Sequence, residues 1–595
     1  MENFYTRIRN LLPPINEVKK AISHFSKREY FIFLGLVIIL CISTFIILQN
    51  INKSFMVNVP MDGGSITEGI VGTPRFINPV LAFSDADQDL VSLIYSGLMR
   101  KSINGTLIPD LAEKYEGSKD GLIYTFTLKN KIYFHDKKPI TADDVIFTIN
   151  KIKDPTIKSP KKGNWDSISV EKIDEKTIKF TLKQPYASFL ENTTLGIMPA
   201  YLWNNSPIEL NDANTQPIGS GPYKVEKASK QSGGLIDYYD LISFKEFNLG
   251  EPYLSKITLR FYPNENDQIA ALEKGEVDQI SSITPLNAQV LKEQNFRIES
   301  LTLPRVFGLF FNQNQNQIFT NKKIVTAIDL AIDKDSIVRD VLLGYGIVIN
   351  DPIPPNMINY QKLNKEDNVS YEEKIKKAQE ILSKEGWKKG TDGFLEKIIT
   401  EKKKKKTTYL EFSISTSNAP ELAKSAELIK KNLENIGIKI TVKTFEIGNL
   451  NQGVIRPRKY DALLFGQIIN HESDLFAFWH STQRKDPGLN VAMYTNAKVD
   501  KILEDASVAI DEQARIKKYA QFEDEIKKDM PAVFLYSPNF IYTVLKNLKG
   551  FSVGRITSPA DRFSNIHLWY TETENIWKIF TRYQIESKPL SQIEV

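Results

Sequence analysis

The residues of this chain best suited to chemistry are five histidines, one cysteine and a pair of adjacent aspartates, and their spacing argues against catalysis. His24, His135, His471, His480 and His567 form no HExxH and no other metal-ligand spacing, so no metal or other cofactor is expected. There is no G-x-S-x-G nucleophile elbow. Cys41 lies inside an apolar run, which leaves the rest of the chain without a thiol nucleophile and without a disulfide. Asp143 and Asp144 are neighbours on a helix, where side chains diverge by about 100°, and Asp144 is better placed to cap the helix than to share a proton. Lys402 to Lys406 reads as a solvated loop between a hairpin and a strand. Gly219-Ser220-Gly221 lacks the GK[ST] ending of a phosphate loop and reads as a tight turn before a strand. The chain is therefore expected to be no enzyme.

The elements that carry these residues begin with a membrane segment. Tyr30 to Leu48 is uncharged and almost wholly apolar, and at 1.5 Å per residue it spans about 28 Å, close to the hydrocarbon thickness of a bilayer. Arg7, Arg9, Lys19, Lys20, Lys27 and Arg28 precede it, which places residues 1–29 in the cytoplasm and everything after Asn50 outside. No Ala-x-Ala-like site follows, and Leu40 rather than a small residue precedes Cys41, so an uncleaved anchor is expected over a signal peptide or a lipoprotein. The remaining chain is long enough for two or three domains. With 25% charged residues and a net charge of only +5, it offers nucleic acid no basic surface of note.

Pro109 to Asn150 is the densest local signal. Asp120-Gly121 is a turn, and Leu122, Tyr124, Phe126 and Leu128 alternate as one face of a strand. Thr141 and Asp144 form a capping box opening a helix with Val145 and Ile149 on one side. With Pro109-Asp110-Leu111-Ala112-Glu113 before and His135-Asp136 through Val145 after, this order of pieces resembles the family-5 extracytoplasmic solute-binding proteins, the peptide and nickel receptors of ABC importers. Further segments extend the resemblance from Ser65 to Tyr570. They include Gly72 to Pro79, a helix from about Asp85 capped by Ser84 and Asp87, Pro217 to Val225, Ala331 to Asp335, Gly386-Trp387, and Pro531 to Tyr536.

The resemblance implies a mixed α/β, two-lobed periplasmic-binding-protein-like fold with a hinge and an extra subdomain in the first lobe, preceded by one transmembrane helix. The expected division is a cytoplasmic 1–29, anchor 30–48, tether 49–64, lobe I 65–262 with an insertion at about 113–214, lobe II 263–534, a return to lobe I at 535–570, and a tail 571–595. The strand Ile257 to Tyr262 is expected to lead into lobe II. Leu410 to Ile414 and Ile438 to Val442, flanking a helix from about Ala419 to Ile436, read as a βαβ unit of a parallel sheet.

Function follows from the resemblance too: an extracytoplasmic monomer that closes over an oligopeptide and delivers it to an ABC permease and its ATPase. Relatives hold the ligand's main chain, and the corresponding stretches are Ala82, Phe83, Ser84 and Asp85 in one lobe and Gly466, Gln467, Ile468, Ile469 and Asn470 in the other. Peptide-specific relatives have tryptophan after that glycine and an acidic residue four positions after it, where this chain has Gln467 and Asn470. Glu472 or Asp474 takes the acidic role if the loop is longer. Trp479 either lines the cleft or packs in the core beside Leu475 and Phe478. A sensory or scaffold module binding a protein partner, or a receptor for a nickel chelate or oligosaccharide, is the alternative on the same fold.

Overall fold

The runs Leu309-Phe310-Phe311 and Ala462-Leu463-Leu464 are completely buried, which requires strands covered on both faces. In the computed structural model, which describes residues 14–103, 105–355, 357, 369–401, 404–469, 474–552 and 554–580, both runs belong to a twelve-stranded sheet. Its strands are β1 (Ser65–Val71), β2 (Tyr223–Lys230), β3 (Ile236–Ser243), β4 (Lys256–Tyr262), β5 (Gln279–Ser281) and β6 (Arg297–Thr302). They continue with β7 (Arg305–Phe311), β8 (Gly346–Val348), β9 (Glu411–Ser417), β10 (Lys439–Phe445), β11 (Ala462–Ile468) and β12 (Ala532–Val544). The order is β10-β9-β11-β7-β12-β5-β1-β4-β3-β2, with β6 and β8 also on β12.

Side-chain alternation divides the second lobe into two layers. Leu309 and Phe311 of β7, with Ala462 and Leu464 of β11, join a core with helices Lys322–Ala331, Tyr371–Lys384 and Pro420–Asn435. Val306, Phe310 and Leu463 point the other way, against helices Ala497–Val508 and Glu512–Asp529. Strands β9 and β10 are parallel with the Pro420–Asn435 helix between them, the βαβ unit read from the sequence.

In the first lobe β1 runs parallel to both β4 and β5. Between helix Asp85–Ile94 and β2 sits an antiparallel sheet ordered Ala112–Gly117, Ile123–Leu128, Thr177–Leu182, Ile168–Lys172, with helix Ala142–Lys153 beside it. The capping boxes form as expected. Asp87 N–H donates to Ser84 Oγ at 3.1 Å, and Thr141 N–H donates to Asp144 Oδ2 at 3.0 Å. The other oxygen of Asp144 accepts from Ala200 N–H at 2.9 Å.

Gly219 and Gly221 serve close packing. A Cβ on Gly219 would stand 2.0 Å from the Ile94 carbonyl oxygen, which accepts a 2.8 Å bond from Gly221 N–H. His135 holds this turn from the opposite side: its Nδ1 accepts from Gly219 N–H at 3.2 Å and its Nε2 donates to the Gly221 carbonyl at 3.1 Å. That arrangement needs the neutral ring, and burial depresses the imidazole to about 4.

The chain passes between lobes at two neighbouring places. Strand β12 pairs with β7 and β8 through its first half and with β6 and β5 through its second. The β6 to β7 step crosses at Leu303-Pro304 beside it, and Ser537 Oγ donates to the Leu303 carbonyl at 2.9 Å. The sequence placed the first crossing after Tyr262. In the structure the strands that follow, β5 and β6, pair with the second half of β12, and β5 also pairs with β1.

A buried charge cluster joins these parts. Arg562, wholly buried, donates to Glu68 Oε1 at 2.6 and 3.0 Å and to both oxygens of Asp89 at 2.7 and 2.6 Å. Tyr542 and Gln279 donate to the second oxygen of Glu68 at 2.7 and 2.8 Å. Burial alone would depress the guanidinium, but Asp89 and Glu68 raise it above its ordinary value, so it stays charged.

Arg562→Met should therefore cost about 3–5 kcal/mol in urea denaturation, since two carboxylates lose their cation in a dry site. Lys114→Met, which breaks an exposed pair with Glu116, should leave the urea midpoint essentially unchanged. His135 supplies a pH test. Its unfolded form takes a proton near pH 6.5 and its folded form only near 4, so its contribution is present above 6.5 and is lost as pH falls toward 4. Comparing the wild type with His135→Gln, the stability difference should move against the wild type by roughly 2–3 kcal/mol over that window.

Candidate functional site

Strand β11 outlasts its neighbour. β9 pairs with it only at Ala462 and Leu463, and Thr416 Oγ1 donates to the Leu464 carbonyl at 2.9 Å where β9 ends. From Phe465 to Ile468, β11 keeps β7 on one side, with Gly466 opposite Phe307, Gln467 opposite Val306 and Ile468 opposite Arg305. Among the described residues no strand pairs with its other side. An unpaired strand edge offers alternating N–H and C=O groups to an extended chain.

Side chains around this edge are placed by the same pairing. The Phe307 ring lies over Gly466, where a Cβ would come within 2.5 Å of it, and stacks on Tyr536 at 5.0 Å with a 7° interplanar angle. Gly466 is thus needed for ring packing. Gln467 is 1% exposed, and neither its Oε1 nor its Nε2 has a hydrogen-bond partner, a costly state for a buried amide. Ile468 is exposed and Ile469 buried, its N–H donating to the Pro304 carbonyl at 3.0 Å beside the interlobe crossing.

Burial lowers the Arg305 guanidinium, and the carboxylate of Asp85, at the start of helix Asp85–Ile94, opposes that shift. The stretch before the helix is partly occupied by its own bonds. Ala82 is buried with its N–H on the Asn78 carbonyl at 3.0 Å. Gln88 Nε2 donates to the Phe83 carbonyl at 3.0 Å, and Ser84 is committed to the capping box. The Phe83 side chain projects, 78% exposed.

The other expected residues separate. Asn470 and Glu472 lie outside the described residues, as does His471. Asp474 is half-buried at the start of helix Asp474–Trp479. Trp479 is fully buried in the second lobe among Phe310, Tyr494, Phe522 and Phe534, so it is a core residue and lines no cleft. The period of its helix explains this, since Leu475 four positions earlier is buried too. Arg305 and Phe307 went unnoticed as site residues in the sequence. The available signal was a charge placed directly before an alternating apolar strand.

At the rim the lobes also touch. Ala187 N–H donates to the Ser507 carbonyl at 3.2 Å, and Ile510 packs over Gly121, where a Cβ would come within 2.6 Å. Among the described residues no cluster of His, Cys, Asp and Glu has the arrangement of a metal site. A cavity of about 190 Å³ lined by Ser96, Arg100, Asp110, Asp561 and His567 lies in the first lobe and includes none of these segments.

Residues 106–487 match the family described as bacterial extracellular solute-binding proteins, family 5 Middle. The chain is 31% identical over 522 residues to the oligopeptide-binding protein AppA of Bacillus subtilis (strain 168), covering 86% of this chain and 92% of that protein. It is 24% identical over 516 residues to the dipeptide-binding protein of Escherichia coli (strain K12), covering 81% and 91%. The solved structure of AppA in complex with a nonapeptide matches with a TM-score of 0.65 at 29% identity, over 86% of this chain and 100% of that one. NikZ from Campylobacter jejuni in complex with Ni(L-His) matches with a TM-score of 0.67 at 27% identity, over the same shares. The two-lobed α/β architecture and these likenesses agree: the chain belongs to the bacterial extracellular solute-binding proteins of family 5.

Proposed function

We propose that this protein is a membrane-anchored receptor that takes an extended oligopeptide between its lobes and delivers it to an ABC permease. The observation that carries the reading is the open edge of β11 from Phe465 to Ile468, with Arg305 opposite its last residue and the Asp85 carboxylate acting on that guanidinium. A peptide laid along this edge adds a strand, and main-chain pairing accepts any non-proline sequence. Gln467 receives from such a ligand the hydrogen bonds it lacks, and Arg305 and Asp85 give a charged ligand terminus a counter-charge. Closure then follows from contacts in both lobes, with the Leu303-Pro304 and Ser537–Asn539 crossings as the hinge.

The anchor is helix Lys27–Phe55, whose apolar window has a mean hydropathy of 3.1 with no buried residue. Ser26 and Glu29 cap its start, and the basic residues before Tyr30 set the amino terminus in the cytoplasm.

Mass spectrometry of small molecules released by denaturing the gently purified protein tests the ligand class: mixed-sequence peptides are expected, and a single non-peptide solute would redirect it. Gln467→Leu separates the site from the fold. It should leave unliganded stability unchanged or raised, because an unpaired amide is removed, and should weaken peptide binding in calorimetry by about 5–30-fold, the equivalent of one or two hydrogen bonds. Unchanged affinity would exclude Gln467 from the site.

A further inference from the structure

The helix Lys27–Phe55 does not stop where its apolar run stops. It continues for seven residues past Leu48 and passes directly into a strand, Met56–Pro60, which pairs antiparallel with Thr573–Trp577 near the other end of the chain. The register sets Met56 opposite Trp577, Asn58 opposite Asn575 and Pro60 opposite Thr573. Met61 N–H donates to the Glu572 carbonyl at 3.0 Å, extending the ladder. The sequence gives these residues to a loose tether and a tail; here they form one ribbon.

Two strands alone are marginal in water, and the ribbon is braced at its helix end. Trp577 Nε1 donates to Asn52 Oδ1 at 2.7 Å, and its ring stacks on Phe55 at 6.0 Å with a 25° interplanar angle. Both rings nevertheless stay half exposed, Trp577 at 41% and Phe55 at 56%, and Ile51 and Ile579 are exposed beside them in sequence. Trp577 differs in this from Trp165, Trp203, Trp387, Trp479 and Trp569, all of which are buried.

The level of this patch follows from the helix rise. Asn52 stands four residues beyond Leu48 and Phe55 seven, which is roughly 6 and 10 Å. The polar interfacial layer on each side of the hydrocarbon is about 5–8 Å deep. Trp577, held to Asn52, therefore lies at the headgroup level, the layer where indole is favoured because its ring is apolar and its N–H is polar.

We infer that the Thr573–Trp577 strand is a second membrane contact, with Trp577, held by Asn52 and braced from above by Phe55, seated in the lipid headgroup interface of the outer leaflet. The inference rests on the reading of Lys27–Phe55 as a membrane span, and the patch is continuous with that span. The receptor's chain leaves the ribbon at Asp62 and returns to it after Thr571, so both of its ends join the ribbon.

The test uses full-length protein reconstituted in phosphatidylcholine vesicles carrying bromine on the acyl chains, either near the glycerol backbone or near the chain ends. The emission of Trp577 is taken as the difference between wild type and Trp577→Phe. Loss of that emission with shallow bromines and its retention with deep ones is the expected result. Emission untouched by either, in protein that stays with the vesicles through an alkaline wash, overturns this inference alone; if it is also shielded from aqueous iodide, a protein partner covers the patch. Protein released by the wash overturns the membrane span and this inference together. The ribbon is checked separately with Asn58→Cys and Asn575→Cys in a Cys41→Ser background, where oxidation should give an intramolecular crosslink, and its absence would remove the ribbon.

Discussion

Arg562, enclosed by Glu68 and Asp89, is the contact on which the arrangement of the first lobe depends. Each partner comes from a different element: Glu68 from β1, Asp89 from helix Asp85–Ile94, Tyr542 from β12 and Gln279 from β5. Charges taken from water gain little net stability even when well paired, but any other pairing would leave one of them bare. The cluster therefore specifies which elements meet. It ties the returning C-terminal segment to the first strand and fixes the helix that begins at Asp85.

From that point the sheet explains the site. Strand β12 is shared by both lobes, and β6 and β7 pair with its successive halves, so the two crossings lie side by side. A pair of adjacent crossings lets lobes swing as bodies while the sheet in each remains intact. The shorter reach of β9 leaves the end of β11 uncovered next to this crossing. The uncovered end of β11 and the crossing are therefore neighbours, and both follow from strand lengths.

Much of the architecture was legible because its signals are local. Ser84 with Asp87 and Thr141 with Asp144 cap their helices through bonds spanning three residues, and the β9–helix–β10 unit announces itself by a change of hydrophobic period. Strand β5 escaped notice since three residues carry no period. The candidate segments were legible, but their setting was not. Gly466 to Ile468 stand at the end of β11, while the burial of Gln467 and the influence of Asp85 on Arg305 depend on which elements lie alongside. Trp479 shows the same limit, because an aromatic among apolar neighbours suits a core and a cleft equally well.

His135 and the Gly219-Ser220-Gly221 turn draw the line most clearly. The sequence by itself determined the membrane-length helix, the capped helices, the alternating strands and the family, all of which rest on residue type and short spacing. It also displayed His135 and the glycines as separate motifs. Only the tertiary structure decided that the imidazole and the turn are one device, that Arg562 selects its two carboxylates, that β11 keeps an edge unpaired among the described residues, and that residues 573–577 return to the end of helix Lys27–Phe55. These are pairings between residues tens to hundreds of positions apart, and no local propensity encodes them; they arise when burial forces each polar group to find the one partner that folding brings within reach.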